Sequence, residues 1–262
     1  MVKILKKEQL AETIFRLRLN APMIAAKHKA GQFVIIRIDS NGERIPLTIA
    51  NADATLGWIE VIIQAVGKST TRLMGFSAGD SVSDLAGPLG TATEIENYGN
   101  VLCVGGGLGA APLFPIAKAM KAAGNNVTAV LGARNTGLII LEDEFLQTAD
   151  SLHIATDDGS KGVKGFAANV ISDLIAAGNF YSCAVVVGPP MMMKVTSQLT
   201  LSMGIKTFVS LNPIMIDGTG MCGGCRVSIG GETKFACVDG PEFDAALVNW
   251  DELLNRIGIY DK

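Results

Sequence analysis

Three of the five cysteines, Cys222, Cys225 and Cys237, crowd into sixteen residues, while Cys103 and Cys183 stand alone in apolar runs. The spacing C-x2-C-x11-C puts two thiols in one glycine-rich turn, GMCGGC, able to wrap a metal. The third arrives from the far side of VSIGGETKFAC, which reads as a hairpin turning at Gly230-Gly231. In a reducing compartment such crowding points to metal and not to disulfides. Plant-type iron-sulfur clusters use C-x4-C-x2-C and a distant cysteine, and here Asp217 stands at the first of those positions. The expected donors are Asp217, Cys222, Cys225 and Cys237 around a 2Fe-2S cluster, with tetrahedral zinc as the competing metal. Asp217 has a second reading as a turn cap that accepts backbone N–H groups, leaving water or Thr219 near the metal. As a ligand it is harder than thiolate, and it would change the reduction potential and make the site sensitive to protonation.

A second chemistry-bearing stretch is GGGLGAAP, residues 105–112. Gly105, Gly106, Gly107, Leu108 and Gly109 follow an apolar strand and open a helix, where unpaired N–H groups and a positive helix end suit a pyrophosphate. A tight turn without ligand uses the same glycines. The next strand ends in LGAR and not in an acid, so the standard dinucleotide fingerprint is unsatisfied. Arg134 there reads either as a partner for an adenosine phosphate or as a solvated cation. Two more strand ends, TDDG with Asp157 and Asp158, and VVVGPPMMM with Gly188, Pro189, Pro190 and Met191, fall on the same carboxyl edge. Open parallel sheets bind ligands at that edge, and three loops make a crevice for a nicotinamide dinucleotide, NAD preferred over NADP. The Gly-Pro-Pro turn could face the nicotinamide, while Met191, Met192 and Met193 suit the packing of a helix start better than cofactor contact.

Two earlier stretches, ERIPLTIAN (43–51) and GKSTTRL (67–73), each follow a barrel strand, and the second offers glycine, hydroxyls and backbone donors suited to a diphosphate. Alone they are ordinary turn sequences. Their order ahead of an α/β nucleotide domain is what marks them.

The elements that must position these residues divide the 262-residue chain in three. Residues 1–96 alternate in short runs, FRLRLN, QFVIIRID and WIEVIIQAV, which predicts a small antiparallel β-barrel. Residues 97–210 alternate strand with helix, the order of a parallel α/β sheet. Residues 211–262 are rich in glycine and cysteine, with too few apolar residues for a core of their own, so something other than burial is expected to organise them. They end in helical spacing from Leu247 to Tyr260. A formal charge of -3 offers no basic stripe for nucleic acid. No apolar run is long enough to cross a membrane, and charges interrupt the N-terminus before any signal-like core, so a soluble cytoplasmic protein is expected. His28 and His153 are the only histidines, and both read as surface or packing residues.

In this order the motifs resemble the ferredoxin-NADP reductase superfamily, in which a barrel binds FAD and the following α/β domain binds the pyridine nucleotide. The resemblance spans nearly the whole chain. VSLNPIMIDGTGMCGGCRV and KFACVDGPEFD are similar to the cluster module of dihydroorotate dehydrogenase electron-transfer subunits. They are more similar still to the small subunits of NADH-dependent ferredoxin:NADP oxidoreductases, which carry the aspartate where the dihydroorotate type has cysteine. The resemblance implies that Ile45, Pro46, Leu47 and Thr48 stand for the flavin motif, with Thr48 approaching the flavin ring as the catalytic contact and Leu47 covering it. The arginine of that motif is displaced to Arg44. Ile62, Ile63 and Gln64 would run along the FAD, Ser69 and Thr70 would hold its phosphates, and GPLG (87–90) would be the hinge. It further implies hydride exchange between NAD(H) and FAD, and single electrons passed between FAD and the cluster. The implied partner is a larger, glutamate-synthase-like flavoprotein subunit reaching ferredoxin, in an electron-bifurcating heterodimer. An NAD-dependent dihydroorotate dehydrogenase is the alternative assembly.

Overall fold

The structure is a computed structural model and describes residues 1–258; Ile259 to Lys262 lie outside the described residues. The barrel-forming part contains β1 (Val2–Gln9), β2 (Ile14–Asn20), a single helical turn α1 (Pro22–Ala25), β3 (Phe33–Arg37), β4 (Arg44–Asp53), β5 (Trp58–Gln64), α2 (Lys68–Met74), β6 (Ser81–Val82) and β7 (Asp84–Leu89). All pairings are antiparallel, in the order β6-β1-β2-β5-β4-β3-β7. The two end strands are separated in sequence by Ser83 alone, so the sheet curls back on itself into a near-barrel. Alternation sorts the side chains: Val34, Ile36, Ile49, Val61 and Ile63 fill the interior, and Phe33, Ile35, Ala50 and Ile62 face outward onto the rest of the molecule.

The second sheet is built from β8 (Asn100–Gly106), α3 (Ala110–Ala122), β9 (Asn126–Ala133), α4 (Glu142–Thr148), β10 (Ser151–Thr156), β11 (Val163–Lys164), α5 (Ala167–Ala176), β12 (Cys183–Val187), α6 (Pro190–Ser202) and β13 (Lys206–Ser210). Its central strands are continuous apolar runs because helices cover both faces: Leu102 and Val104 point to one core, Val101 and Cys103 to the other. The order is β11-β10-β9-β8-β12-β13, all parallel, so the chain changes direction across the sheet between β8 and β12.

The last part forms the hairpin β14 (Arg226–Ile229) and β15 (Glu232–Phe235), then β16 (Glu242–Asp244) and α7 (Trp250–Gly258). Gly230 and Gly231 turn the hairpin at φ 60 and 83, left-handed values that a side chain resists. Two expectations need correction. Among its described residues the module has no core of its own, yet burial does organise it: β16 pairs antiparallel with β13 and extends the second sheet. Val227, Ala236, Phe243, Trp250 and Leu253 then join the core that covers one face of that sheet, with Phe33 and Ile35 of the barrel. The C-terminal helix starts at Trp250, three residues later than its apolar spacing suggests, because Ala245–Leu247 is a separate helical turn capped by Asp244. Among the described residues no helix is long and apolar enough to cross a membrane.

Candidate functional site

At the carboxyl edge of the second sheet β8 ends in Gly105-Gly106 and its neighbour β12 is followed by Gly188. A Cβ on Gly188 would lie 3.1 Å from the Gly106 Cα, and one on Gly106 would lie 3.1 Å from both Met192 Sδ and Pro189 Cδ. The two strand ends thus close on each other at the point where the strand order reverses, leaving backbone without side chains. Gly107 has φ 54, and Gly109 packs so tightly that a Cβ would be driven into the Val187 carbonyl. Leu108, half-buried, completes the turn before α3. Met192, expected as helix-start packing, lies against this edge, whereas Met191 points to solvent at 55% exposure. Pro190 opens α6, where its missing N–H costs nothing.

Farther along the edge Arg134, Asp157 and Asp158 are exposed. Their loops are tied by Asp157 N–H to Ala133 O at 3.0 Å and by Thr136 N–H to Ser160 Oγ at 2.8 Å. The acid missing from the end of β9 is therefore present one strand over. The hydroxyl and N–H of Ser160 hold the Asp158 carboxyl below the usual carboxylate range.

In the near-barrel, Arg44 to Thr48 are not a loop after a strand but lie within β4. Ile45 and Leu47 pack against the barrel interior. Alternation therefore turns Arg44, Pro46 and Thr48 outward, on the side of Ala50. Leu47 is thus half spent on the barrel core. On β5, Ile62 faces the second domain at 5% exposure, Ile63 is inside the barrel, and Gln64 is half-buried at the strand end. Ser69 and Thr70 open α2, and Thr70 Oγ1 is engaged by the N–H groups of Gly67 at 3.0 Å and Val66 at 3.2 Å. Thr70 therefore caps its own helix, while Ser69 donates to Glu43 Oε2 at 2.5 Å. Ser69, Lys68, Arg72, Glu43, Asp39 and Asn41 line a cleft of about 370 Å³. Lys68 and Arg72, unremarked in the sequence, give that cleft its cations, and Arg72 pairs with Asp39.

The cluster cysteines fall into two places. Cys225 and Cys237 are each 1% exposed, with sulfurs 3.1 Å apart, and the Cys237 N–H donates to Cys225 Sγ at 3.5 Å. Burial, and then the hydrogen bond from Cys225, pushes the Cys237 thiol up to about 12. Cys222 is exposed, and its sulfur accepts the Gly224 N–H at 3.4 Å. Its own N–H donates to Asp217 Oδ2 at 2.7 Å, while Thr219 N–H donates to Oδ1 at 2.8 Å. Those donors hold the Asp217 carboxyl below its ordinary range. Among the described residues no three His, Cys, Asp or Glu side chains converge on one point. The donors come as a buried pair, Cys225 with Cys237, and a pair nearer the surface, half-buried Asp217 with exposed Cys222, a set that suits two metal ions better than the single tetrahedral zinc.

The two candidate regions meet at one pairing. Phe33 of β3 lies opposite Thr48 of β4, and Ile35 opposite Pro46. Phe33 and Ile35 belong to the core that contains Cys225 and Cys237. A Cβ on Gly218, in the cluster loop, would sit 3.0 Å from Ile35. The cluster module is therefore seated one strand, about 5 Å, from the outward face of β4.

An oxidoreductase FAD-binding domain model matches residues 1–93, and a model of the iron-sulfur cluster binding domain of dihydroorotate dehydrogenase B matches residues 212–249. The chain is 49% identical to a homologue of the dihydroorotate dehydrogenase B (NAD(+)) electron transfer subunit from Thermotoga maritima, covering 98% of this chain and 91% of that protein. It is 34% identical to the electron transfer subunit itself from Streptococcus pneumoniae, over 94% of this chain and 97% of that one. Among solved structures, a chain of the NADH-dependent reduced ferredoxin-NADP oxidoreductase, studied for flavin-based electron bifurcation, superposes with a TM-score of 0.94 at 47% identity, covering 99% of this chain and 94% of that one. With its FAD-binding near-barrel, parallel-sheet second domain and iron-sulfur module, the chain belongs to the family of dihydroorotate dehydrogenase B electron transfer subunits and their homologues.

Proposed function

We propose that this chain passes electrons between NAD(H) and a larger partner subunit through FAD and a 2Fe-2S cluster, as the arm of an electron-bifurcating oxidoreductase that leads to NAD. The observation that carries the reading is the pairing of Phe33 with Thr48, which seats the cysteine module one strand from the outward face of β4. Bound there, FAD would supply the conversion of a two-electron hydride exchange into single-electron steps. Residues 1–96 hold the flavin, 97–210 the dinucleotide and 211–262 the cluster.

Thr48 offers the flavin ring a hydroxyl from β4, and Pro46 with Ile62 provides apolar surface on the same outward side. Lys68, Arg72 and Ser69 suit a diphosphate in their cleft, and Arg44 stands on the neighbouring strand. Gly106, Gly188 and the Gly107–Gly109 turn admit the dinucleotide by presenting bare backbone. Cys225 with Cys237, and Cys222 with Asp217, would each hold one iron. The partner is a glutamate-synthase-like flavoprotein in the cytoplasm, through which electrons reach ferredoxin.

Anaerobically purified protein should show flavin and iron-sulfur absorption together and bleach in both when NADH is added. Full loading with no cluster reduction would dismiss the reading. A second reading, the electron transfer subunit of an NAD-dependent dihydroorotate dehydrogenase, is favoured by the matched cluster-domain model and disfavoured by Asp217. Copurification from the native cell separates the two, since a dihydroorotate-oxidising partner would replace the bifurcating assembly.

A further inference from the structure

The C-terminal helix α7 reaches the cluster turn with Arg256. One guanidinium nitrogen donates to the Arg226 carbonyl at 2.7 Å and the other to the Gly224 carbonyl at 3.1 Å. Those two carbonyls flank Cys225. The Arg226 side chain adds a longer bond to the Gly223 carbonyl, at 3.4 Å. The helix cannot swing away freely: Leu253 is buried in the shared core, Glu252 accepts from Ser228 Oγ, and Asn249 N–H donates to Ser228 O at 2.9 Å.

Arg256 is half-buried. Among the described residues it has no carboxylate within ion-pair distance. A planar fork that bonds two carbonyls two residues apart is a task for guanidinium, and lysine has no equivalent geometry. Among the described residues its charge meanwhile has no carboxylate partner beside the turn that carries Cys222 and Cys225. One-electron reduction makes an iron-sulfur centre more negative, so a nearby cation in a partly desolvated place favours the reduced form.

We propose that Arg256 is a positioning residue for the cluster: its fork fixes the Gly224–Arg226 turn around Cys225, and its charge favours the reduced state of the cluster bound there. This rests on the iron-sulfur reading above. The electron comes from NADH by way of the flavin, and no bond to Arg256 forms or breaks.

The test is a redox titration of the flavin- and cluster-loaded full chain, followed by electron paramagnetic resonance, with iron and labile sulfide counted per chain. In Arg256→Gln the cluster should be about tenfold harder to reduce, a fall of about 59 mV for one electron, with the flavin potential unmoved. Arg256→Lys, which keeps the charge, should stay within about twofold of the parent. Leu253→Ala, which loosens the same helix without touching charge, should leave the cluster potential in place. An iron-loaded Arg256→Gln with the parent potential overturns the proposal, as does an equal shift in Leu253→Ala. Should Arg256→Gln lose its iron, Arg256→Lys decides, since it keeps the charge and loses the fork: lower iron occupancy than the parent, with the parent potential in whatever cluster remains, supports the proposal, and full occupancy or a shifted potential overturns it. A parent chain that takes up no iron at all would instead dismiss the cluster reading, a separate result.

Discussion

At the carboxyl edge of the second sheet, Gly106 and Gly188 offer backbone and space; in the loop from Asp217 to Cys225, the offer is side chains. The first arrangement is fixed before any ligand arrives, because the register of buried strands sets it and a missing Cβ keeps it open. The second is divided, with Cys225 and Cys237 in contact and buried, and Asp217 and Cys222 joined through backbone at the surface. Sheet edges are built by long-range packing, whereas ligand loops keep part of their organisation for the metal, whose binding free energy completes the fold locally.

The largest effect expected from this contrast is at the buried pair. Cys225→Ser or Cys237→Ser should abolish iron and sulfide incorporation while NAD(H) affinity stays within about twofold, read by metal analysis and calorimetry. Joint loss of both would mean that the two regions are not independent. The mirror experiment is Gly109→Ala, which forces a methyl into the Val187 carbonyl. It should cost about 1–3 kcal/mol by denaturant unfolding, as overpacking does, and weaken NAD(H) binding with iron content unchanged. At the pair nearer the surface the effect should be smaller: Asp217→Cys keeps a cluster with an altered potential, and Asp217→Ala lowers iron retention. Unchanged spectra and potentials in both would remove Asp217 from the coordination sphere.

The smallest effect expected lies on the seam between the regions. Glu242 of β16 accepts a hydrogen bond from Thr93 Oγ1 at 2.8 Å, and burial pushes its carboxyl up to about 7 from an ordinary 4.5. A carboxyl raised in the folded state binds more protons there than when unfolded. Its stabilising contribution is therefore complete below pH 4.5 and is lost as pH rises through 7. Glu242→Gln should flatten that slope, retaining on the order of 1 kcal/mol at pH 8, or about 2–4 °C in Tm. Parallel melting curves for the two proteins between pH 5 and 8 would show that Glu242 carries none of the pH dependence.

Much of the architecture is legible from local pattern. Runs such as NVLCV and CAVVV are apolar throughout because both faces of their strands are covered, and GGGLG reads as a strand-to-helix turn because only glycine fits it. The Gly230-Gly231 hairpin is visible for the same reason. Less visible was the place of ERIPLTIAN, whose proline suggests a turn, although Pro46 sits in β4 opposite Ile35. Thr70 reads as a phosphate contact from its neighbours, yet its hydroxyl is committed to a helix cap.

Sequence by itself determined the local patterns: the cysteine spacing, the glycine turns and the order of barrel before parallel sheet are all contained within short stretches. Tertiary structure alone decided that β16 closes onto β13, that Phe33 and Ile35 form the seat of the cysteine module, and that Arg256 reaches the Gly224 and Arg226 carbonyls. These pairings join residues about thirty to two hundred positions apart. No local propensity encodes them, because they follow from which buried faces find each other when the chain packs.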